Sequence, residues 1–442
     1  MRRGLAVVGE GGDWGLSLQP VSLPTPNADH LSGWSCQLVV RMSRRAGYSA
    51  GVTDRLPSDV GELVHRLGTN PPFRLLDVAR GFLGAAEKVE AVNLLLVDYG
   101  QELLSPFGGY QGPPLGQERV DQGEAGEVYR TQAGRVGRVQ LGWRACVPVT
   151  LGGERIGVLE VRLAAEPRPG LITELERVAT ALAFALAAAG RATDEVELAR
   201  RSRPLSLPAE IQWELLPRLA LEAPEYAVAG TVEPAYDVGG DTFDYAAQPQ
   251  ALTVSVTDAM GHGLQAALLA GLAVAALRNA RRHPAGLLEQ ADHANRALHA
   301  QFGGEQFVTG QVLRLDVPGG SGAVVNAGHP LPLLVRGRRV EPVGLDADLP
   351  FGLDAETIYQ VQPLKLAPGD RLVLLSDGVL EAAPEGGSAY GADRLDEVLR
   401  ASRVLPPHEV ARLVVREVIA YRAGDLADDL TVVCLDWRGP AS

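Results

Sequence analysis

Cysteine is scarce in this sequence: Cys36, Cys146 and Cys434 are far apart and odd in number. That pattern argues against a disulfide framework and a thiolate metal cage, and it fits a reducing cytoplasm. Positive charge is also short. With 41 Lys and Arg against 54 Asp and Glu, the formal net charge is -13. No overall positive field exists to gather phosphate backbones or anionic lipid, so nucleic acid is not expected as a partner. Arginines do gather at Arg41 to Arg45, Arg200 to Arg203 and Arg336 to Arg339. Each run is short and lacks interleaved aromatics, which reads as solvated surface. Long apolar runs are missing as well. Val178 to Gly190 and Ala266 to Leu277 fall short of the ~18–20 residues that span a bilayer. The apolar start after Arg2 and Arg3 is cut off by Gly9 and Glu10. Neither a membrane anchor nor a secretion signal is expected.

What remains is the balance of a folded protein, with 46% hydrophobic and 21% charged residues over 442 positions. That length predicts two or three domains. Residues 1–58 carry Pro20, Pro24 and Pro26 and one candidate strand at Gln37 to Arg41, and they receive no functional assignment. From Pro71 a helical spacing of Phe73, Leu76, Val78, Ala79 and Phe82 leads into a strand-like run, Ala91 to Asp98. The segments Trp143 to Val149 and Ile156 to Val161, joined through Gly152-Gly153, predict a β-hairpin. A single helical stretch is then expected from Leu171 to about Arg201, its charged end serving as a linker. Residues 59–190 resemble a GAF domain, an α/β sensor, through this hairpin and terminal helix. The resemblance implies a small-molecule ligand for that domain, with a ligand-free dimerisation module as the alternative. Residues 191–207 are expected to be a linker helix through which the chain forms a homodimer. Cys146, on a predicted strand, reads as a small core residue and not as a chromophore attachment point.

Pro204 and Pro208 mark the next boundary, and a short amphipathic helix follows over Ala209 to Pro217. Beyond it strands cluster with few intervening helices, which favours an antiparallel, helix-covered sandwich over a doubly wound parallel sheet. Four times an aspartate stands at a strand end. Asp258 closes the alternating run Leu252 to Thr257, and Asp377 closes Arg371 to Ser376. Asp428-Asp429 precede Leu430 to Leu435, and Asp241 follows Gly239-Gly240 with Asp244 nearby. If those ends meet, they gather carboxylates that no neighbouring Lys or Arg neutralises. An all-oxygen set of that kind selects hard divalent cations, Mg²⁺ or Mn²⁺.

The order of these motifs carries a resemblance. Val238-Gly239-Gly240-Asp241-Thr242-Phe243-Asp244, Thr257-Asp258-Ala259-Met260-Gly261-His262-Gly263, Phe307-Val308-Thr309, Asn326-Ala327-Gly328-His329-Pro330, Ser376-Asp377-Gly378 and Asp428-Asp429-Leu430-Thr431 follow in turn. Together they resemble the sporulation-stage-II-E and sigma-factor-regulator branch of the PPM (PP2C-type) serine/threonine phosphatases. The likeness covers about Glu210 to Trp437 and implies an α+β domain over residues 208–442, an antiparallel β-sandwich flanked by helices. It further implies two divalent cations, Mn²⁺ or Mg²⁺, held by Asp241, Asp258, the Ala259 carbonyl, Asp377 and Asp428. Asp258 and Asp377 are the acids expected at the catalytic centre, with Asp244, His262 and Asp429 supporting them from behind. The implied reaction is hydrolysis of phosphoserine or phosphothreonine by a metal-activated water. The implied substrate is a phosphorylated anti-sigma-factor antagonist protein, with the sensor regulating the reaction.

The match has departures. Ala259 stands where many relatives have Gly, and Met260 and Gly261 separate His262 from Asp258. His262 therefore reads as a loop or packing residue, with a general acid as the alternative; His329 with Asn326 reads as structural. Thr231 to Asp241 holds no Lys or Arg to grip phosphate. The competing reading is a catalytically silent phosphatase-fold scaffold for partner-switching proteins. Clustered acids argue against it, since without a metal they repel one another. A metal nuclease would need a basic groove that this chain lacks.

Overall fold

Apolar residues at helical spacing open the described chain. In this computed structural model it comprises residues 60–440 except 86–87, 112–116, 238, 284, 424–425 and 427. The strand expected at Gln37 to Arg41 lies outside these residues. Helices α1 (Val60–Thr69) and α2 (Leu75–Leu83) bury Leu63, Leu67, Leu76, Ala79 and Leu83. Then come β1 (Val89–Val97), β2 (Leu103–Pro106), β3 (Glu118–Arg119), α3 (Gly123–Thr131), β4 (Arg135–Arg138), β5 (Trp143–Leu151) and β6 (Glu154–Leu163). All six strands pair antiparallel in one sheet, ordered β3-β2-β1-β6-β5-β4. The expected hairpin is β5–β6, lengthened by a few residues. Helix α4 (Leu171–Ala189) joins α1 and α2 over one face of the sheet. On the opposite face Cys146 is fully buried with Val128 and Tyr129 of α3, a small core residue as its strand position suggested.

The single helix expected from Leu171 to Arg201 does not form. α4 stops at Ala189, and a separate five-residue helix, α5 (Glu195–Ala199), follows. Gly190 weakens the helix at that point, and Thr193 Oγ1 accepts from Glu195 N–H at 3.4 Å, starting a new turn. The break folds Val196 back into the first core. Next, α6 (Leu207–Leu215) is capped by Ser206, whose Oγ accepts from Ala209 N–H at 3.3 Å.

The second half alternates strands and helices as β7 (Ala220–Glu222), β8 (Tyr226–Glu233), β9 (Asp241–Gln248), β10 (Ala251–Ala259), α7 (Gly263–Arg281) and α8 (Leu287–Phe302). It continues through β11 (Val308–Asp316), β12 (Ser321–Ala327), β13 (Leu333–Arg336), β14 (Arg339–Pro342), β15 (Gln362–Lys365) and β16 (Asp370–Leu375). The chain then runs through α9 (Asp377–Glu381), α10 (Gly391–Ala401), α11 (Pro407–Arg422) and β17 (Leu430–Trp437). Two antiparallel sheets result, ordered β15-β12-β11-β10-β9 and β14-β13-β16-β17-β8-β7. Between them Phe243, Leu252, Val254 and Leu313 meet Val228, Leu374, Val433 and Trp437. Burying such side chains contributes roughly 1.5–3 kcal/mol each. Helices α7 and α8 cover the outer face of one sheet, and α10 and α11 that of the other. This is the helix-flanked sandwich the strand pattern predicts. Helix α7, 19 residues long, would by length and apolarity suffice to cross a membrane. Its Ala266, Leu269, Ala273 and Leu277 are instead buried in the core shared with α8.

Candidate active site

Strand register assembles the site. In the β9–β10 pair Asp241 lies directly opposite Asp258, and Phe243 opposite Val256. Side chains alternate across a strand, so Asp241 and Asp258 share the inward face with Phe243 and Val256, at one end of the sandwich. In the facing sheet Leu374 and Val433 point inward. The same alternation turns Ser376 and Thr431 inward at the corresponding end. Ser376 N–H donates to the Thr431 carbonyl at 3.0 Å, and Thr431 N–H donates to Ser376 Oγ at 3.0 Å. That exchange fixes Asp377, the next residue after Ser376, beside Asp428 and Asp429, which lead into β17.

Two close approaches explain the glycines in the motifs. A side-chain carbon on Gly378 would fall 2.2 Å from the Asp429 carbonyl oxygen, so the turn after Asp377 accepts only Gly. On Gly240 it would fall 2.9 Å from the Ala259 carbonyl oxygen. The Gly239-Gly240 segment therefore lies flat against the loop that follows Asp258. Asp429 Oδ2 pins that segment, accepting from the backbone N–H groups of Gly239, Gly240 and Asp241 at 3.0, 2.7 and 3.2 Å.

The electrostatics are those of uncompensated carboxylates. Asp241 is buried, and its carboxyl is held well above the usual range, first by burial and then by the charges of Asp258 and Asp429; the facing hydroxyls of Ser376 and Thr431 offset this only in part. Its Oδ2 and Thr431 Oγ1 are buried with no hydrogen-bond partner among the described residues. Asp258 is raised to about 7, by burial first and then by Asp377, Asp428 and Asp429. Asp428 is raised by burial and, among the charges, most by Asp377. No Lys or Arg is a source of these shifts. An orphaned buried carboxylate oxygen among mutually repelling acids fits a bound divalent cation. Asp241 and Asp258 lie opposite each other, and Asp377 and Asp428 influence Asp258 through their charges. Among the described residues no three His, Cys, Asp or Glu side chains come near enough to make a finished metal cage.

Not every predicted residue joins this cluster. Asp244 stands three positions from Asp241 and so faces outward. There it takes Arg278 at 2.8 Å and Arg281 at 2.9 Å from α7. It anchors a helix and does not support the site. His262 is exposed at the N-terminal boundary of α7, with no side-chain cap hydrogen bond. Asp429 holds the Gly-Gly-Asp loop through the three backbone N–H groups of Gly239, Gly240 and Asp241. Ser376, Thr431 and Thr309 were not singled out, although each sits inside a quoted motif. Thr309 lies opposite Asp258, and its hydroxyl bonds His329 Nδ1 at 2.9 Å. His329 N–H donates to Asn326 Oδ1 at 2.9 Å, and burial lowers its imidazole to about 4, so it is neutral and structural.

Residues 248–438 match Stage II sporulation protein E (SpoIIE). That match covers less than half of the chain, and the second half is a PP2C-like phosphatase domain similar to that family. The phosphatase domain resembles the phosphoserine phosphatase RsbU of Bacillus subtilis (strain 168), 22% identical over 235 residues, which are 52% of this chain and 69% of RsbU. It also resembles stage II sporulation protein E of the same organism, 29% identical over 121 residues. That match spans 27% of this chain and 14% of the relative. Among solved structures the SiaA PP2C domain of Pseudomonas aeruginosa is 23% identical with a TM-score of 0.45, covering 52% of this chain and 93% of that one.

Proposed function

We propose that the phosphatase domain is a metal-dependent hydrolase of phosphoserine or phosphothreonine in a protein, of the anti-sigma-factor antagonist kind. The observation that carries this reading is that Asp241 and Asp258 lie opposite each other on the inward face and that Asp258 feels the charges of Asp377 and Asp428, with no Lys or Arg among those influences. Asp258, opposite Asp241 and influenced by both Asp377 and Asp428, is the acid best placed to serve two ions at once. Asp377 and Asp428 would hold one side, with Asp241 and the Ala259 carbonyl on the other. Bound there, Mn²⁺ or Mg²⁺ supplies charge neutralisation and Lewis acidity toward a phosphoryl group and the attacking water. Asp429 keeps the Gly239–Asp241 backbone in place, and the glycines leave room for a phosphorylated side chain to approach. Without an arginine from Thr231 to Asp241, substrate selection falls to the protein surface around the site.

The six-stranded sheet, with α1, α2 and α4 on one face and α3 on the other, supports reading residues 59–190 as a GAF-like sensor that takes a small molecule. Together with α5 this half would pass its state to the phosphatase domain in a cytoplasmic homodimer. The test is phosphate release from a phosphoserine peptide, with Mn²⁺ and with chelator. Metal-dependent turnover should fall by about 100-fold or more in Asp258→Asn and in Asp377→Asn. Absence of turnover from the wild type, with phosphorylated antagonist proteins supplied and metal in excess, would leave the silent scaffold standing.

A further inference from the structure

Helix α11 carries Arg412 and Arg416 one turn apart, and they share a cavity with Arg119 of β3 and Arg130 of α3. Arg155, from the β5–β6 hairpin, closes the side. These five guanidiniums line a partly open cavity of about 100 Å³ between the sensor-like half and the phosphatase domain. Three carboxylates share its walls: Asp121 pairs with Arg119 at 2.9 Å, Glu409 pairs with Arg155 at 3.2 Å, and Glu102 stands alone. Two positive charges are left over, in a chain whose net charge is -13. Arg412 and Arg416 make no hydrogen bond or ion pair with any described residue. His408 lines the same cavity; its Nε2 lies 3.7 Å from Glu409 Oε1, too far for a hydrogen bond, and is buried without a partner.

Arg130, Arg155 and Arg412 are half-buried, whereas Arg119 and Arg416 are exposed. A half-buried guanidinium such as Arg412 is retained where something accepts its donors, because stripping it of water without a partner is costly. The forked guanidinium suits an oxyanion with several oxygens, and phosphate above all. We infer that this seam is a binding site for a phosphate group, either inorganic phosphate or the terminal phosphate of a nucleotide. Such a group would be gripped from one side by Arg119 and Arg130 and from the other by Arg412 and Arg416. Occupancy would tie the first sheet to α11. The site stands apart from the acid cluster and does not depend on the activity proposed for it.

Titration calorimetry of the full chain against inorganic phosphate and against ADP, with chelator present, tests this. Chelator removes any phosphate binding that the acid cluster would owe to cations. The wild type should bind one equivalent and melt at higher temperature with the anion. Arg412→Gln and Arg416→Gln should each weaken binding by about tenfold or more. Arg416 is exposed, so its variant keeps the fold even if Arg412→Gln does not. Tighter binding of ADP assigns the group to a nucleotide, and equal or tighter binding of phosphate assigns it to the free anion. Binding unchanged in Arg416→Gln, or no heat from the wild type with either probe at millimolar concentration, overturns the inference.

Discussion

The site depends on single atoms whose space is already taken. Replacing Gly378 by Ala would drive its methyl group into the Asp429 carbonyl, 2.2 Å away, and Asp429 holds three backbone N–H groups of the loop carrying Asp241. Gly378→Ala should therefore cost about 1–3 kcal/mol in denaturant midpoint analysis and lower phosphatase turnover as well. Glu233 ends β8, and burial raises its carboxyl from the ordinary 4.5 to about 7. The folded state therefore favours the protonated acid. Stability from this group is fully present below pH 4.5 and is lost as pH rises through about 7. The loss amounts to about 3 kcal/mol. Glu233→Gln should remove that share of the pH dependence, seen as a smaller drop in unfolding free energy between pH 4.5 and pH 8 than in the wild type. In the acid-rich motif Gly239 to Asp244 the sequence named both aspartates, and period two alone separates them: an odd spacing sends Asp244 to the outer face. What sequence could not reveal is the partner of each, since Arg278 and Arg281 lie more than thirty positions downstream.

Helix α7 follows directly from the strand that carries Asp258, so its anchoring decides how firmly that strand end is held. Asp244 is buried and takes both Arg278 and Arg281, and Arg278 also donates to the Leu215 carbonyl. Removing both arginines leaves a buried, unpaired carboxylate, which should cost about 3–5 kcal/mol. Calorimetric Mn²⁺ affinity should be retained in an Asp244→Asn variant that remains folded and lost in Asp241→Asn, separating the anchor from the site. The strands and helices that position the acids were legible because their apolar periods are long and unbroken, as in Leu252 to Thr257 and Pro407 to Tyr421. The helix expected through Arg201 was not. Its apolar face runs up to Ala189, but Gly190 and the Thr193-Asp194 start signal outweigh the helix-forming residues beyond. Short strands such as β3 and β4 exist through their neighbours and carry too few residues to show a period.

Across the whole described unit, the two halves meet at residues just upstream of the acid cluster. Tyr236 donates its hydroxyl to Asp98 Oδ2 at 3.0 Å and accepts from Ser202 N–H at 3.1 Å. Tyr99 packs on Trp213 with ring centroids 4.6 Å apart, and Trp213 Nε1–H donates to the Ala235 carbonyl at 2.7 Å. Asp98 and Tyr99 follow β1 of the first sheet, whereas Ala235 and Tyr236 precede the Gly239–Asp241 segment. A hydrogen bond to a charged acceptor in such surroundings contributes about 1.5–3 kcal/mol. The seam should therefore make the two halves unfold together. Scanning calorimetry of the wild type should show one transition over both halves. Asp98→Asn and Tyr236→Phe, in different halves, should each lower it, with the double variant falling short of their sum because they break the same bond. Two separate transitions, with Asp98→Asn moving only one of them, would mean that the halves are mechanically independent. A sensor state could then not reach Asp241 through this contact.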